Sequence, residues 1–430
     1  MTGQLIGPIA ITDVAHGGWG VGRWDGRVVF VSGTLPGETV TAEVTEQRSK
    51  LWFARTSEVH AASPDRVDHI WPLAATTGVG GADLGHVALP AQRRWKQAVL
   101  EQQLRRLAHQ EVAVTVEAAP GDDADNGLGW RTRVSFTADQ DGRLAMYVPY
   151  SDQLVAVDSM PLAAAAITAA APWRERFPAG HRVTLVQSAS GPIHAVLTPP
   201  AAGRSAAPTT ADEGPPSRQP DWDLTDASSL VMVEGGPAAP VITEQVVWAG
   251  RQLTYQVAAD GFWQVHRQAP EVLVAAVMAA LPDTARTVFD LYAGAGLFAQ
   301  PLAAQTATRK VIAVEGDSRA ALRLAANLQA YPAARSYQGE VRRLLADSAL
   351  PRRADAVVLD PPRAGAGRAV VAALAERRPD TIVYVACDPA SLARDVALLA
   401  DQHYGLSQLR AFDLFPHTHH IEAVAVFQRQ

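Results

Sequence analysis

Thr287-Val-Phe-Asp290-Leu-Tyr292-Ala-Gly294-Ala-Gly296-Leu-Phe298 decides the fold of this chain. Its apolar opening predicts a strand, and the two glycines predict a tight turn that opens a helix. Glycine admits positive φ and lets a ligand approach the backbone closely. The G-x-G spacing lacks the third glycine of the dinucleotide fingerprint, so alone it is a weak signal.

Downstream of that turn, strand-like runs alternate with helical stretches, the mark of a parallel α/β sheet. The runs are Lys310-Val-Ile-Ala-Val314, Ala356-Val-Val-Leu359, Thr381-Ile-Val-Tyr-Val385 and Ala423-Val-Ala-Val-Phe427. The second strand ends at Glu315, where a carboxylate can hydrogen-bond ribose hydroxyls. That placement suits S-adenosylmethionine as well as NAD, and an exposed loop acid is the plainer alternative. Leu359-Asp360-Pro361-Pro362-Arg363-Ala-Gly365 is more specific. Its prolines fix φ and remove backbone donors, giving a rigid turn at the ligand-binding edge. Such a turn can hold a flat heterocycle or the sulfonium end of a cofactor.

Cys387 is the only cysteine, in Tyr384-Val-Ala-Cys387-Asp388-Pro389-Ala-Ser391-Leu-Ala-Arg394-Asp395. A lone cysteine usually packs as a small buried hydrophobe. A strand-end turn near the other motifs is instead where a nucleophile belongs.

A chain of 430 residues implies two or three domains, and 48% hydrophobic with 19% charged residues describes a soluble globular protein. No apolar run is long enough for a membrane span, and the N-terminus lacks signal-peptide character, so a cytoplasmic protein is expected. One cysteine excludes a disulfide framework and a Cys-rich metal site. The net charge of −6 does not announce nucleic acid, but Arg93-Arg94-Trp95-Lys96, Arg105-Arg106, Arg342-Arg343 and Arg352-Arg353 are candidate phosphate contacts, or else solvated faces.

Residues 5–60 read as an all-β, OB-like barrel with a flexible turn at Ala15–Gly22. A helix is expected over 91–110, with Leu100, Leu104 and Leu107 on one face. Strand-like runs return over 128–200, and 198–229 reads as a mobile surface insertion. The expected domains are 1–62, an OB-like barrel; 63–257, an α+β central domain whose 91–118 segment packs on the third domain; and 258–430, a Rossmann-like α/β domain.

Five ordered motifs carry a family resemblance: Gly261-Phe-Trp-Gln-Val265, Asp290–Phe298, Val357–Gly365, Tyr384–Asp395 and Asp413-Leu-Phe-Pro-His-Thr-His-His-Ile-Glu422. Together they resemble the bacterial RNA 5-methyluridine methyltransferases, class I S-adenosylmethionine-dependent enzymes acting on tRNA and 23S rRNA, and residues 5–60 resemble their TRAM barrel. The resemblance implies that Gln264, Tyr292, Glu315 and Asp360 bind S-adenosylmethionine. It also implies that Cys387 is the nucleophile and Glu422 the general base. The chemistry fits these residue types. A thiolate added at uracil C6 turns C5 into a nucleophile, and a carboxylate can then take the C5 proton.

Departures from the family pattern are informative. Trp71, Val79, Ala82 and Met160 stand where many relatives carry four iron–sulfur cysteines, so packing is expected there and no cluster. Asp388 replaces a frequent asparagine and, uncompensated, would raise the thiol pKa. His266 replaces another asparagine, and Ala293 a cysteine. His417, His419 and His420 lack companion ligands at metal spacing, so no metal is expected. Nothing points beyond a monomer. Alternative functions are a non-catalytic RNA-binding or chaperone-like protein on this fold, or a methyltransferase for another pyrimidine.

Overall fold

The computed structural model describes residues 3–149, 151–200, 230–237 and 239–430. The insertion expected over 198–229 thus lies outside the described residues beyond position 200. Strands β1 (Leu5–Ala15), β2 (Trp19–Trp24), β3 (Arg27–Ser32), β4 (Thr39–Gln47) and β5 (Leu51–Ala61) close into a barrel in the order β1-β2-β3-β5-β4. Alternation turns Ile9, Ile11, Val29, Val31, Val40 and Val44 into its core. The turn expected over 15–22 is shorter. The chain reverses at 16–18, and Gly20 and Gly22 belong to β2. A Cβ at Gly20 would meet Thr34 Oγ1 at 2.2 Å, and one at Gly22 would meet Ile9 Cγ2 at 2.5 Å. These two glycines serve close packing inside the barrel.

The expected 91–110 helix runs Leu89–Gln103 and continues as a π-helical turn, Leu104–Ala108. Leu100 and Leu104 are fully buried, whereas Leu107 is 38% exposed. The wider π turn rotates Leu107 off the apolar face that an uninterrupted α-helix would give it. The short strand β6 (Val116–Ala118) follows.

The central region forms a six-stranded sheet from β7 (Arg133–Ala138), β8 (Leu144–Tyr147), β9 (Leu154–Ala156), β10 (Arg182–Val186), β11 (Ile193–Thr198) and β12 (Leu230–Glu234). A hairpin, β13 (Val241–Trp248) and β14 (Arg251–Ala258), leads away from it. Trp71, Val79, Ala82 and Met160 are all buried in one apolar cluster with Trp130, Phe136 and Leu162. The four positions that the resemblance sets against cysteines thus share a single packed core.

The third unit is an eight-stranded sheet ordered β17-β16-β15-β18-β19-β21-β20-β6. Its strands are β15 (Thr287–Leu291), β16 (Lys310–Glu315), β17 (Ala334–Gln338), β18 (Ala356–Leu359), β19 (Thr381–Ala386), β20 (Tyr404–Asp413) and β21 (Glu422–Arg429), with β6 paired parallel to β20. Strands β15 to β19 run parallel, and β21 is antiparallel to both neighbours. Helices cover both faces, so β15, β18 and β19 read as near-continuous apolar runs. Among the described residues, no helix is long and apolar enough to cross a membrane.

Candidate active site

Strand order reverses between β15 and β18, which opens a crevice at the carboxyl ends of the parallel strands. Four of the singled-out side chains stand at or just past strand ends on this edge: Tyr292 after β15, Glu315 ending β16, Asp360 after β18 and Cys387 after β19. Glu422 opens β21, and because that strand runs antiparallel its first residue lies on the same edge. The last β19–β21 pair is Ala386 with Ala423. Cys387 and Glu422 are the next residues outward on each strand.

Glu315 organises the glycine loop. Its Oε2 accepts the Gly294 N–H at 2.7 Å and its Oε1 the Asp317 N–H at 2.7 Å. Each carboxylate oxygen keeps a further lone pair for a ligand hydroxyl. Tyr292 adopts φ 62°, a left-handed conformation that costs a non-glycine residue and clusters at functional sites. Gly296 has φ 96°, and a Cβ there would come within 2.9 Å of Leu324 Cδ1. A side chain there would crowd Leu324 on the helix Ser318–Asn327.

Asp290 is fully buried, and neither carboxyl oxygen has a side-chain hydrogen-bond partner among the described residues, the Ala299 backbone N–H being the group that favours its charged form. Burial raises its pKa well above the usual range, and Asp360 and Glu315 add to the rise. A buried carboxyl group without a side-chain partner, flanked by two more acids, suits a ligand that brings donors and positive charge. Gln264 is buried on the segment between β14 and the helix Ala269–Ala280. Next to it, Trp263 packs against the Tyr255 ring at 5.1 Å, and the Tyr255 hydroxyl donates to Leu297 O at 3.1 Å. The Gln264 segment is thereby tied to the glycine loop.

The thiol is partly buried. Burial, then the negative charges of Glu422 and Asp360, push the Cys387 pKa up to about 12, while Arg363 pulls it down. Asp388 raises it too, but as the smallest contributor. Asp388 is in fact compensated. Its Oδ1 caps the helix Pro389–Ala400 by accepting Ser391 N–H at 2.7 Å, and its Oδ2 faces His16 Nε2 at 3.2 Å. Burial would raise the Asp388 pKa; the His16 and Ser391 hydrogen bonds outweigh it and hold the acid well below the usual carboxylate range. Asp360 is raised by burial to about 7, and Glu422 is raised well above its usual value by burial and by Asp360.

Two further groups fix the turns that bear these residues. Asp395 accepts Ala366 N–H at 2.6 Å, Gly367 N–H at 3.1 Å and the Tyr384 hydroxyl at 2.6 Å, pinning the end of the Asp360-Pro-Pro-Arg turn. Lys96, fully buried, donates to Asp413 Oδ1 at 2.5 Å and to Phe415 O at 3.0 Å, at the root of the loop that delivers Glu422. This removes Lys96 from the basic-patch reading of Arg93–Lys96. Lys96 is internal, and Arg93 and Arg94 pair with Asp123 and Asp65. In the same loop His417 bonds Gln92 and Asn126 O, His419 bonds Asp83, and His420 packs against Phe415. His266 is buried between Trp130, stacked at 5.4 Å, and Asp122, at 2.9 Å from Nε2.

Sequence reasoning quoted Asp290 and Asp395 within motifs without singling them out. The signal for Asp290 was present: an acid inside an apolar strand is costly unless something meets it. Lys96 and His16 carried no such signal, since their partners lie far away in sequence.

Residues 238–430 match the family model of tRNA (uracil-5-)-methyltransferase, and residues 6–56 match the TRAM domain. An uncharacterized RNA methyltransferase of Bifidobacterium longum is 39% identical, over 98% of this chain and 96% of its own. The 23S rRNA (uracil(1939)-C(5))-methyltransferase RlmD of Pseudomonas putida is 33% identical, over 97% of this chain and 92% of its own. Among solved structures, the Pyrococcus abyssi tRNA (uracil-54, C5)-methyltransferase in complex with S-adenosyl-L-homocysteine is similar with a TM-score of 0.68. That likeness spans 97% of this chain and 100% of the other at 20% identity, and it speaks for the fold.

Proposed function

The chain belongs to the RNA uracil-C5 methyltransferase family, whose members use S-adenosylmethionine, and from that premise we propose that it forms 5-methyluridine in tRNA or 23S rRNA through a Cys387–C6 adduct. The observation that carries this reading is the adjacency of Cys387 and Glu422 beyond the Ala386–Ala423 pair, with Asp360 beside both.

Gln264, Tyr292, Glu315 and Asp360 would hold the cofactor, and the buried Asp290 adds a fifth candidate. Bound there, S-adenosylmethionine supplies an electrophilic methyl group on a sulfonium. The Cys387 thiolate adds to C6 of the flipped uracil, and the ring electrons move to O4 as an enolate. C5 can then accept the methyl group. Glu422, as carboxylate, takes the C5 proton, and the C5–H electrons re-form the C5–C6 double bond as the thiolate leaves. Arg363 favours the thiolate, whereas burial holds the resting thiol neutral. The barrel provides RNA contact through the aromatic strip of Trp19, Phe30 and Phe53, with Arg48 lying over Phe53 at 5.1 Å.

The test is methyl transfer from labelled S-adenosylmethionine into unmodified tRNA and 23S rRNA, read by nucleoside digestion, with Cys387→Ala as control. Label in 5-methyluridine that vanishes in the variant supports the reading and names the RNA. Label that persists in the variant, or appears in another nucleoside, overturns it.

A further inference from the structure

The acid directly after the thiol has its polar partner in another domain. His16 lies in the turn between β1 and β2 of the barrel, and its Nε2 faces Asp388 Oδ2 at 3.2 Å. The barrel turn is seated closely. A Cβ at Gly18 would come within 3.3 Å of both Asp83 Oδ2 and His419 Cβ. The His16 ring also meets the His419 ring edge-on at 6.1 Å, and Asp83 fixes His419 through its Nδ1 at 2.5 Å and its backbone N–H at 2.8 Å. The barrel thus touches both turns that carry the chemistry: the one with Cys387, and the one leading to Glu422.

The charges facing the thiol are unbalanced. Glu422, Asp360 and Asp388 disfavour its ionisation, and Arg363 is the cation that favours it. Glu422 and Asp360 are placed to meet substrate and cofactor, so only Asp388 has a side chain free to be offset from outside the pocket. The facing group is His16; Ser391 N–H takes the other oxygen, and His419, with Asp83 behind it, borders the imidazole. This arrangement is specific to an acid at position 388, because an amide there would carry no charge to offset.

We propose that His16 is a positioning residue for methyl transfer: reaching from the barrel, it offsets the Asp388 charge and holds the nucleophile turn, so that seating of the barrel favours the Cys387 thiolate. The proposal rests on Cys387 being the nucleophile, and it makes the RNA-binding barrel part of the reactive site. Thiol reactivity should therefore respond to a residue that touches neither thiol nor substrate.

The test is a double-substitution cycle on the full chain. Cys387 is the only cysteine, so its modification by methyl methanethiosulfonate, followed by intact mass against pH, reads one site. His16→Ala should slow modification near neutral pH by about three- to fivefold, the size of effect a partly exposed pair can exert. His16→Gln, which keeps a hydrogen-bond donor, should fall between. Asp388→Asn should match or exceed the unsubstituted rate, and adding His16→Ala to it should change nothing further. In methyl transfer, His16→Ala should lower kcat with KM for S-adenosylmethionine unchanged, and Asp388→Asn should restore it. An unchanged pH profile and kcat in His16→Ala would overturn the proposal, as would an equal loss in the Asp388→Asn background. Failure of the nucleophile reading is separately visible, because Cys387→Ala would then still methylate while the thiol cycle kept its outcome.

Discussion

Cys387 and Glu422 are the first residues beyond the Ala386–Ala423 pair, one leaving β19 and the other entering β21. Residues set on adjacent strands hold their spacing through sheet hydrogen bonds and need no side-chain bridge. In the proposed mechanism the two groups serve different stages, so their losses should look different. Cys387→Ala should remove both adduct and product. Glu422→Gln should slow turnover by about a hundredfold or more, and it should accumulate a protein–RNA adduct that survives denaturing electrophoresis. If no adduct accumulates in Glu422→Gln, proton removal is not its step.

A thiol pushed up to about 12 by burial and by Glu422 and Asp360 is protonated at neutral pH. A cation placed among those acids would lower it. S-adenosylmethionine carries the sulfonium charge, and S-adenosylhomocysteine lacks it. Cofactor should therefore accelerate Cys387 alkylation near pH ~8, and the homocysteine product should do so less. Equal acceleration by both would point to a conformational cause.

The sheet was the most legible part of the chain. Buried parallel strands such as Val288–Leu291 and Val357–Leu359 announce themselves by continuous apolar runs, and the turn motifs fixed which ends carry the site. Strand β17 (Ala334–Gln338), with Arg335 and Gln338, is a sheet edge, and strand β20 (Tyr404–Asp413) pairs with β6 only over Ala411–Asp413, leaving Gln408 and Arg410 on an open stretch; both escaped because such edges tolerate polar residues. Strand β6 escaped because three residues carry no period. His16 meeting Asp388, and Lys96 meeting Asp413, join residues hundreds of positions apart, and no local pattern encodes them.

Asp360 shows a cost that the site imposes on stability. Its folded pKa is raised by burial to about 7 from a usual 3.8, so the protonated form is the one the fold prefers. Its favourable contribution is full below the unfolded value and is lost as pH rises through about 7. Asp360→Asn should therefore raise stability above that pH by about 1 to 2 kcal/mol after allowing for partial exposure, seen as a higher Tm there, and should leave Tm near pH ~4 almost unchanged. The same variant should lose cofactor binding. Thermal melts at both pH values, with a cofactor titration, check this, and equal Tm shifts at both would contradict the burial argument.

The barrel strip makes a separable prediction. Phe30 stacks on Phe53 at 5.4 Å, and both rings are only partly buried. Aromatic–base stacking contributes about 1 to 3 kcal/mol per base. Phe30→Ala should weaken RNA binding about five- to tenfold or more with cofactor affinity unchanged, measured by filter binding and calorimetry.

Lys96 and Asp413 form a fully buried pair that ties the helix Leu89–Gln103 to the loop ending at Glu422. Burial lowers the Lys96 pKa and Asp413 opposes the shift, so the charged lysine depends on its partner. Removing one member strands the other charge, which costs about 3 to 5 kcal/mol. Lys96→Met should therefore lower stability sharply, whereas Lys96→Met with Asp413→Leu should recover much of it, because apolar replacement of a buried pair is often neutral. Activity should not recover alongside. Phe415 O would lose the Lys96 donor, and the loop would no longer be drawn to a fixed point seven residues before Glu422. Denaturant melts and kcat on the single and double variants separate the two effects. A double variant that regained full kcat would show the pair to be structural only.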